Sequence, residues 1–413
     1  MQPVRRIKPT SWMRAAPTRA VIDALRADGQ EVRFVGGCVR DTLRGGFTGD
    51  IDIATPDRPE QVMALLEKAA IKSIPTGLAH GTITAVAAGR LFEITTLRVD
   101  VRSHGRHADV AFTDDWRQDA ARRDFTMNAL TCTPEGDIYD PWDGITDLEA
   151  GRVRFVGDAG QRIEEDHLRL LRFFRFHAWY GAGDPDKDGL AACVAWKNSV
   201  HKLSGERIRN EMMKLLGAPD PAPVIDIMAR TGVLGEILPH AEDTKILRGV
   251  LAVEAEFEAD PLRRLASLLV KAGGAAQPRE LAERWRFSNA DRDRLVQLLA
   301  PPATLGAELD ARALRREIYA GGSDRIVDWL VLAWAKTPID GASYRRMIAT
   351  AGEWRPPSLP VKGADALALG LAAGPEVGQL MRAVESWWIE EDFAPTRAQC
   401  LEKLRALTVL KNN

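Results

Sequence analysis

The amino-acid sequence predicts an α+β protein, a mixed α/β head over residues 1–150 followed by helices alone to residue 413. Two observations predict it. Strand and helix signals alternate over roughly the first 160 residues, with some strands adjacent in sequence, which gives a mixed sheet. From Gln161 onward the apolar residues recur at helical spacing, with breaks at Gly and Pro clusters.

The elements follow in order. An amphipathic helix near Ala20 to Ala27 precedes a strand at "EVRFVG", a helix beginning at "GCVRDTL", and a strand at "DIDIA". Pro59 opens a helix at "RPEQVMALLEKAA". The stretch "GTITAVAAGRLFEITTLR" reads as a hairpin, two β-branched runs around Ala88-Gly89-Arg90. Then come the helical stretches "EEDHLRLLRFFRFHAWYG", "SGERIRNEMMKLLG", "DPLRRLASLLVKAGG" and "SDRIVDWLVLAWAKT". Ser204 is the expected N-cap of the second.

With 413 residues and 45% apolar content the chain can bury a large core. Lys and Arg number 56 against 58 Asp and Glu, so no global basic field announces a nucleic-acid partner, and phosphate binding must come from local patches. Cys38, Cys132, Cys193 and Cys400 are scattered, without CxxC spacing, which excludes structural zinc and fits a reducing cytoplasm. The amino terminus is basic but lacks the apolar core of a secretory signal, and no stretch is long and apolar enough to span a membrane.

Chemistry concentrates in "GGFTGDIDIAT". Asp50 and Asp52 alternate with Ile51 and Ile53, so a strand turns both acids to one face and buries the other. An exposed strand accounts for this equally well. Upstream, Gly36 and Gly37 join a strand to a helix, where backbone N–H groups attract phosphate and Arg40 adds charge; such a turn is also common without any ligand. A phosphate-cradling turn followed by two acids is what divalent-metal nucleotidyl transfer needs. Glu93, in the second hairpin strand, is placed to join the acid pair or to face solvent. In "AARRDFTMNAL", Arg123 beside a triphosphate would neutralise developing charge, and otherwise belongs to a solvated helix face.

Five ordered motifs, "GGCVRD…GDIDIA", "RRDFTMNA", "DPWDG", "EEDHLRLLRFFRF" and "SGERIRNEMMKLL", resemble the class II tRNA nucleotidyltransferases, the CCA-adding enzymes closely related to bacterial poly(A) polymerases. The resemblance spans about Val32 to Leu216, and is looser in "RWRFSNADRDRL" and "GPEVGQLMRAVESWWIEEDFAPT". It implies a polymerase-β-like nucleotidyltransferase head over 1–150, a helical neck over 151–217 that recognises the base and touches RNA, and a helical body and tail over 218–413 that bind tRNA. It makes Asp50 and Asp52 the ligands of two Mg²⁺ ions, with Glu93 as a further catalytic acid. It puts Gly37 and Arg40 on the triphosphate and Arg123 on nucleotide phosphates.

The resemblance also implies that Asp166 and Arg169 read the base, with Arg172 and Arg175 nearby on nucleotide or phosphate. At i and i+3 of one helix the two would share a face, as a surface ion pair also would. Cytosine and adenine both present an amino donor beside a ring-nitrogen acceptor, whereas uracil and guanine present a carbonyl beside a ring N–H. Asp166 only accepts and Arg169 only donates, so the pair complements C and A. The implied partners are the tRNA 3′ end, acceptor stem and upper half, with CTP and ATP; no membrane or protein partner is evident.

The segment 151–217 has a modest local excess of Lys and Arg, including Arg207, Arg209 and Lys214, which suits RNA phosphates. Trp387 and Trp388 are assigned to packing. Three other readings are a poly(A) polymerase, a partial CC-adding or A-adding enzyme, and a catalytically dead RNA-binding module. The segment between Thr96 and Arg122 is long enough for a mobile loop that switches addition from C to A, and both Asp50 and Asp52 are present.

Overall fold

A computed structural model describes the chain apart from residues 47–48, 105–106, 240, 242–243, 271–275, 303–308, 338–340 and 413, with side chains also left out for 100–109, 276 and 410–412. The chain divides into two compact units, Met1–Glu242 and Asp243–Asn413.

The first unit is built on an eight-stranded sheet. Its strands are β1 (Arg5–Arg6), β2 (Arg33–Val35), β3 (Ile51–Thr55), β4 (Lys72–Gly77), β5 (Thr82–Ala87), β6 (Arg90–Thr96), β9 (Thr131–Cys132) and β10 (Asp137–Tyr139); β7 (Arg98–His104) and β8 (His107–Phe112) form a separate hairpin. The order is β1-β10-β9-β2-β3-β6-β5-β4. Among the described residues only β3 and β6 pair in parallel; the other pairs are antiparallel, so the sheet is mixed as the sequence predicts.

Period-2 alternation sets what each face does. Ile51, Ile53, Ile83, Ala85, Phe92 and Ile94 are each at most 2% exposed, and the helices Ala16–Arg26 and Pro59–Lys68 pack on this side. The residues between them, including Asp52, Thr84 and Glu93, look the other way and stay partly open. Ala88 and Gly89 both have positive φ (49° and 75°), the two-residue turn that the β5–β6 hairpin requires.

Some elements differ from expectation. The Thr96 to Arg122 segment, expected as a mobile loop, contains the β7–β8 hairpin and a helix, Trp116–Ala121, capped by Asp115; Gly105 and Arg106 lie outside the described residues, as do Phe47 and Thr48 of the glycine-rich turn. The alternating runs on either side of the hairpin tip are strand-formers, and backbone pairing satisfies them. Strands β1, β4, β9 and β10 have no counterpart in the sequence reading. The stretch "EEDHLRLLRFFRFHAWYG" is two helices, Ala159–Glu165 and Leu168–Tyr180, broken at Asp166.

Every secondary-structure element among the second unit's described residues is a helix. Its core includes Trp285 and a cluster of Val361, Leu380, Val384, Trp388, Cys400 and Leu404. Trp387 packs at the margin of that cluster under Lys403, so both tryptophans are packing residues, as expected. A buried ion network ties the same unit together. Glu254 meets Arg264 at 2.6 Å, and Asp328 takes both Arg263 and Arg294.

Candidate active site

In the β3–β6 register Asp52 is the direct partner of Glu93, which sets the two carboxylates side by side on the open face of the sheet. Asp50 is exposed and stands one residue before β3, close enough to act electrostatically on Asp52. Burial pushes the Asp52 carboxyl up to about 6, and Glu93 and Asp50 push in the same direction while Arg123 opposes them. Carboxylates crowded in this way hold charge comfortably only against a cation.

The donor set suits a hard divalent ion, since it offers oxygen alone. Among the described residues no group of three His, Cys, Asp or Glu closes into a complete metal site. Such an open set matches an ion held by one or two carboxylates, with the remaining positions left to water and substrate phosphates.

Arg123 is aimed at the same place. Asp119 holds it at 3.1 Å, the Asn128 carbonyl accepts from it at 3.5 Å, and its Nε is buried without a hydrogen-bond partner. Burial works against the Asp119 charge, but Arg123 and Arg122 outweigh it and hold the carboxyl below its usual range. Gly36 has φ +69°, and a Cβ there would lie 3.3 Å from the Arg123 guanidinium. Gly36 therefore carries the steric requirement. At Gly37, which the sequence placed on the triphosphate, a Cβ would meet only Arg40, at an ordinary 3.6 Å.

Arg40 is buried and internally engaged. Its Nε and one terminal nitrogen donate to the two oxygens of Asp41 at 2.8 and 3.0 Å, the other donates to Asn128 at 2.6 Å, and Tyr180 lies against its face. Asn128 in turn donates to Asp124 at 2.9 Å. Asp124 receives Arg172 at 2.5 and 2.7 Å, and Glu211 pairs with Arg175 at 2.7 Å. Burial disfavours the Asp124 charge, yet Arg172 and Asn128 bring its carboxyl down to about 2. Arg172 and Arg175 thus belong to a partly buried chain of alternating charge that joins the "RRDFTMN" loop to the Leu168–Tyr180 and Gly205–Leu216 helices.

Asp166 and Arg169 do not share a helix face as the i, i+3 spacing predicts. Asp166 has φ −148° and ends the Ala159–Glu165 helix, because its carboxylate accepts the Leu168 N–H at 3.1 Å. The same carboxylate takes the Arg207 guanidinium at 2.8 and 3.0 Å. Arg169 donates to Glu165 at 2.6 Å and to the carbonyls of Arg162 and Arg122 at 3.1 and 2.9 Å. Both lie on the same helix junction with their side chains held by neighbours.

Sequence reasoning missed Asp119, Asp41 and Glu211, and assigned Arg207 to RNA phosphate when it pairs with Asp166. The i, i+4 spacing of Asp119 and Arg123 was a usable signal. The Arg207 to Asp166 pairing spans 41 residues and left none.

Comparison with known proteins places this geometry. The poly A polymerase head domain family matches residues 32–154, and the family described as the probable RNA and SrmB-binding site of polymerase A matches 184–245. The CCA-adding enzyme of Geobacillus thermodenitrificans is 33% identical over 93% of this chain and 96% of its own. The mitochondrial CCA tRNA nucleotidyltransferase 1 of Mus musculus is 31% identical over 94% of this chain and 89% of its own. The chain belongs to the CCA-adding enzyme family. It is a nucleotidyltransferase, and nucleotidyltransferases of this kind generally use divalent metal ions. The crystal structure of the Bacillus stearothermophilus CCA-adding enzyme in complex with CTP superposes with a TM-score of 0.76 at 28% identity, covering 97% of this chain and all of that one. The Thermotoga maritima CCA-adding enzyme complexed with tRNA shares the fold, at a TM-score of 0.67 and 20% identity over 99% of this chain and 100% of that one.

Proposed function

We propose that this chain adds C, C and A to the 3′ end of tRNA without a nucleic-acid template, using CTP and ATP and releasing pyrophosphate. The observation that carries the reading is the in-register Asp52–Glu93 pair beside Arg123, in a chain whose relatives along nearly its whole length are CCA-adding enzymes.

The primer 3′-hydroxyl attacks the α-phosphorus of the incoming nucleotide, forming the new phosphodiester as the bond to pyrophosphate breaks. Asp50 and Asp52 are the residues that would hold Mg²⁺, two ions in this reading, with Glu93 beside them; bound there, the metal activates the hydroxyl and neutralises the leaving group. The Arg123 charge, which already acts on Asp52, is set to meet phosphate charge at the same place, and Asp119 fixes its direction. Gly36 lets the triphosphate approach the backbone, with Gly37 in the next position. Arg40, being buried, acts by holding Asn128 and the "RRDFTMN" loop in place.

Base choice falls to Asp166 and Arg169. A carboxylate has about four acceptor positions; Leu168 takes one on Asp166 and Arg207 takes one on each oxygen, which leaves room for one amino group. Arg169 keeps donors for one ring nitrogen after its three existing bonds. That pairing accepts C and A and leaves U or G with clashing groups. Arg172 and Arg175 support the helix behind them. Residues 1–150 serve as the catalytic head, 151–217 as the neck and 218–413 as a tRNA-binding body and tail that reads shape and backbone. The four free, buried cysteines go with a reducing cytoplasm, and no described helix is long and apolar enough to cross a membrane.

The test is incorporation of labelled CTP and ATP into tRNA lacking its CCA end, with Mg²⁺, by wild type and Asp52→Ala. The variant should fold normally and lose incorporation; full activity in a folded Asp52→Ala protein would refute the assignment.

A further inference from the structure

The row of side chains that begins at Asp52 continues beyond Glu93. Glu93 is the direct partner of Thr84 on β5, and Thr84 of Ile74 on β4, so Asp52, Glu93, Thr84 and Ile74 line up across four strands on one face. Neighbouring strands are about 4.8 Å apart, so each member stands one such step further from the carboxylates. The reverse face is sealed by buried Ile83, Ala85, Phe92 and Ile94, whereas this one is partly open, with Ile74 37% and Leu91 64% exposed.

Beyond Glu93 the row carries hydroxyl and aliphatic groups and no charge. The Thr84 and Thr76 hydroxyls are 2.8 Å apart, which fixes the Thr84 rotamer. In the adjacent row the Thr82 and Thr95 hydroxyls face each other at 3.4 Å. A surface of this kind suits the sugar of a nucleotide better than its phosphate.

We infer that the Thr84 hydroxyl binds the 2′-hydroxyl of the primer's terminal ribose and so makes the site select RNA ends. This rests on the proposed function, in which the carboxylates receive the 3′-hydroxyl. The 2′-hydroxyl sits on the adjacent carbon, and a hydroxyl one strand step, about 4.8 Å, out from Glu93 is within reach of it. A threonine hydroxyl offers one donor and two acceptor positions, and the bond to Thr76 uses only one. The 2′-hydroxyl is what lets a protein tell RNA from DNA at a given position.

The experiment uses the full chain with Mg²⁺, CTP and two tRNA transcripts lacking CCA, one ending in a ribonucleotide and one identical but 2′-deoxy at its last residue. Wild type should prefer the ribo end by about three- to tenfold in kcat/KM, the effect of one hydrogen bond. Thr84→Val should lose that preference by slowing the ribo end alone, with KM for CTP unchanged, and Thr84→Ser should restore it. Thr82→Val, one row over, should keep it. Should Thr84→Val not fold, Thr76→Val should still diminish the preference. An unchanged preference in a folded Thr84→Val protein, or none in wild type, overturns the inference while the CCA reading stands; failure to extend either transcript overturns both.

Discussion

Arg207, on the Gly205–Leu216 helix, donates from one guanidinium nitrogen to both carboxylate oxygens of Asp166, at 2.8 and 3.0 Å. The residue proposed to read the base is thereby oriented by a residue from another helix. Asp166→Ala should relax choice among the four nucleotides by tenfold or more, since mispairing then strands fewer polar groups at about 1–3 kcal/mol each. Arg207→Ala should relax it less, because Leu168 still caps the carboxylate. Competition assays with mixed nucleotides check this, and unchanged selectivity in Asp166→Ala would contradict the templating role.

The charge on Asp52 opposes folding. Burial first, then Glu93 and Asp50, raise its carboxyl from the ordinary 3.8 to about 6. The penalty is absent below the ordinary carboxylate range and fully present above about 6. Asp52→Asn in metal-free protein should therefore gain roughly 1–3 kcal/mol at pH 8 and nothing near pH 4. Thermal melts at the two pH values decide it, and an equal gain at both would count against the crowded-carboxylate account.

Asp124 is the opposite case. Its carboxyl is brought from 3.8 to about 2, chiefly by Arg172 against the effect of burial, so the stability it contributes is present above the ordinary value and lost only as pH falls through about 2. Asp124→Ala should cost roughly 3 kcal/mol by leaving the partly buried Arg172 with only Glu211, at 3.9 Å, to balance its charge. The Asp124→Ala/Arg172→Ala double variant should cost less than the two singles summed. Denaturant melts at neutral pH measure both, and strict additivity would show that the two do not act as a pair.

Arg123→Ala should lower kcat by about a hundredfold, the scale seen when one preorganised donor is removed, with little change in KM for tRNA. Asp119→Asn should lower it less, since the neutral amide still contacts Arg123 but no longer fixes it by charge. Arg123→Lys should not rescue, because a compact ammonium lacks the planar fork that reaches Asp119 through one nitrogen and the Asn128 carbonyl through another. Steady-state kinetics with CTP distinguish these outcomes; a full rescue by lysine would reduce Arg123 to a point charge.

What could be read from sequence was local in origin. The "DIDIA" alternation, the Pro59 helix start, the Ala88-Gly89 turn and the Ser204 cap each depend on a few consecutive residues, and each appears where expected. Strand β4 escaped notice because it is an exposed edge strand containing Pro75. Strands β1, β9 and β10 are two or three residues long, too short for periodicity to register. The break at Asp166 hid inside a convincing helical pattern, since an aspartate that accepts the first N–H of the next helix leaves the apolar spacing intact on both sides. The charge chain from Asp41 through Arg40, Asn128, Asp124 and Arg172 is made by direct contacts that span as many as 88 positions, and spacing cannot predict such pairings.

The central claim is that one active site adds C, C and A in that order. The most direct test offers the purified chain, with Mg²⁺, a tRNA transcript ending at the discriminator base, first with each nucleotide singly and then with CTP and ATP together, and resolves products at single-nucleotide resolution. The account predicts two additions with CTP alone and three with CTP and ATP, ending in CCA. A long ladder from ATP alone, or addition that stops after CC with both nucleotides present, would contradict it.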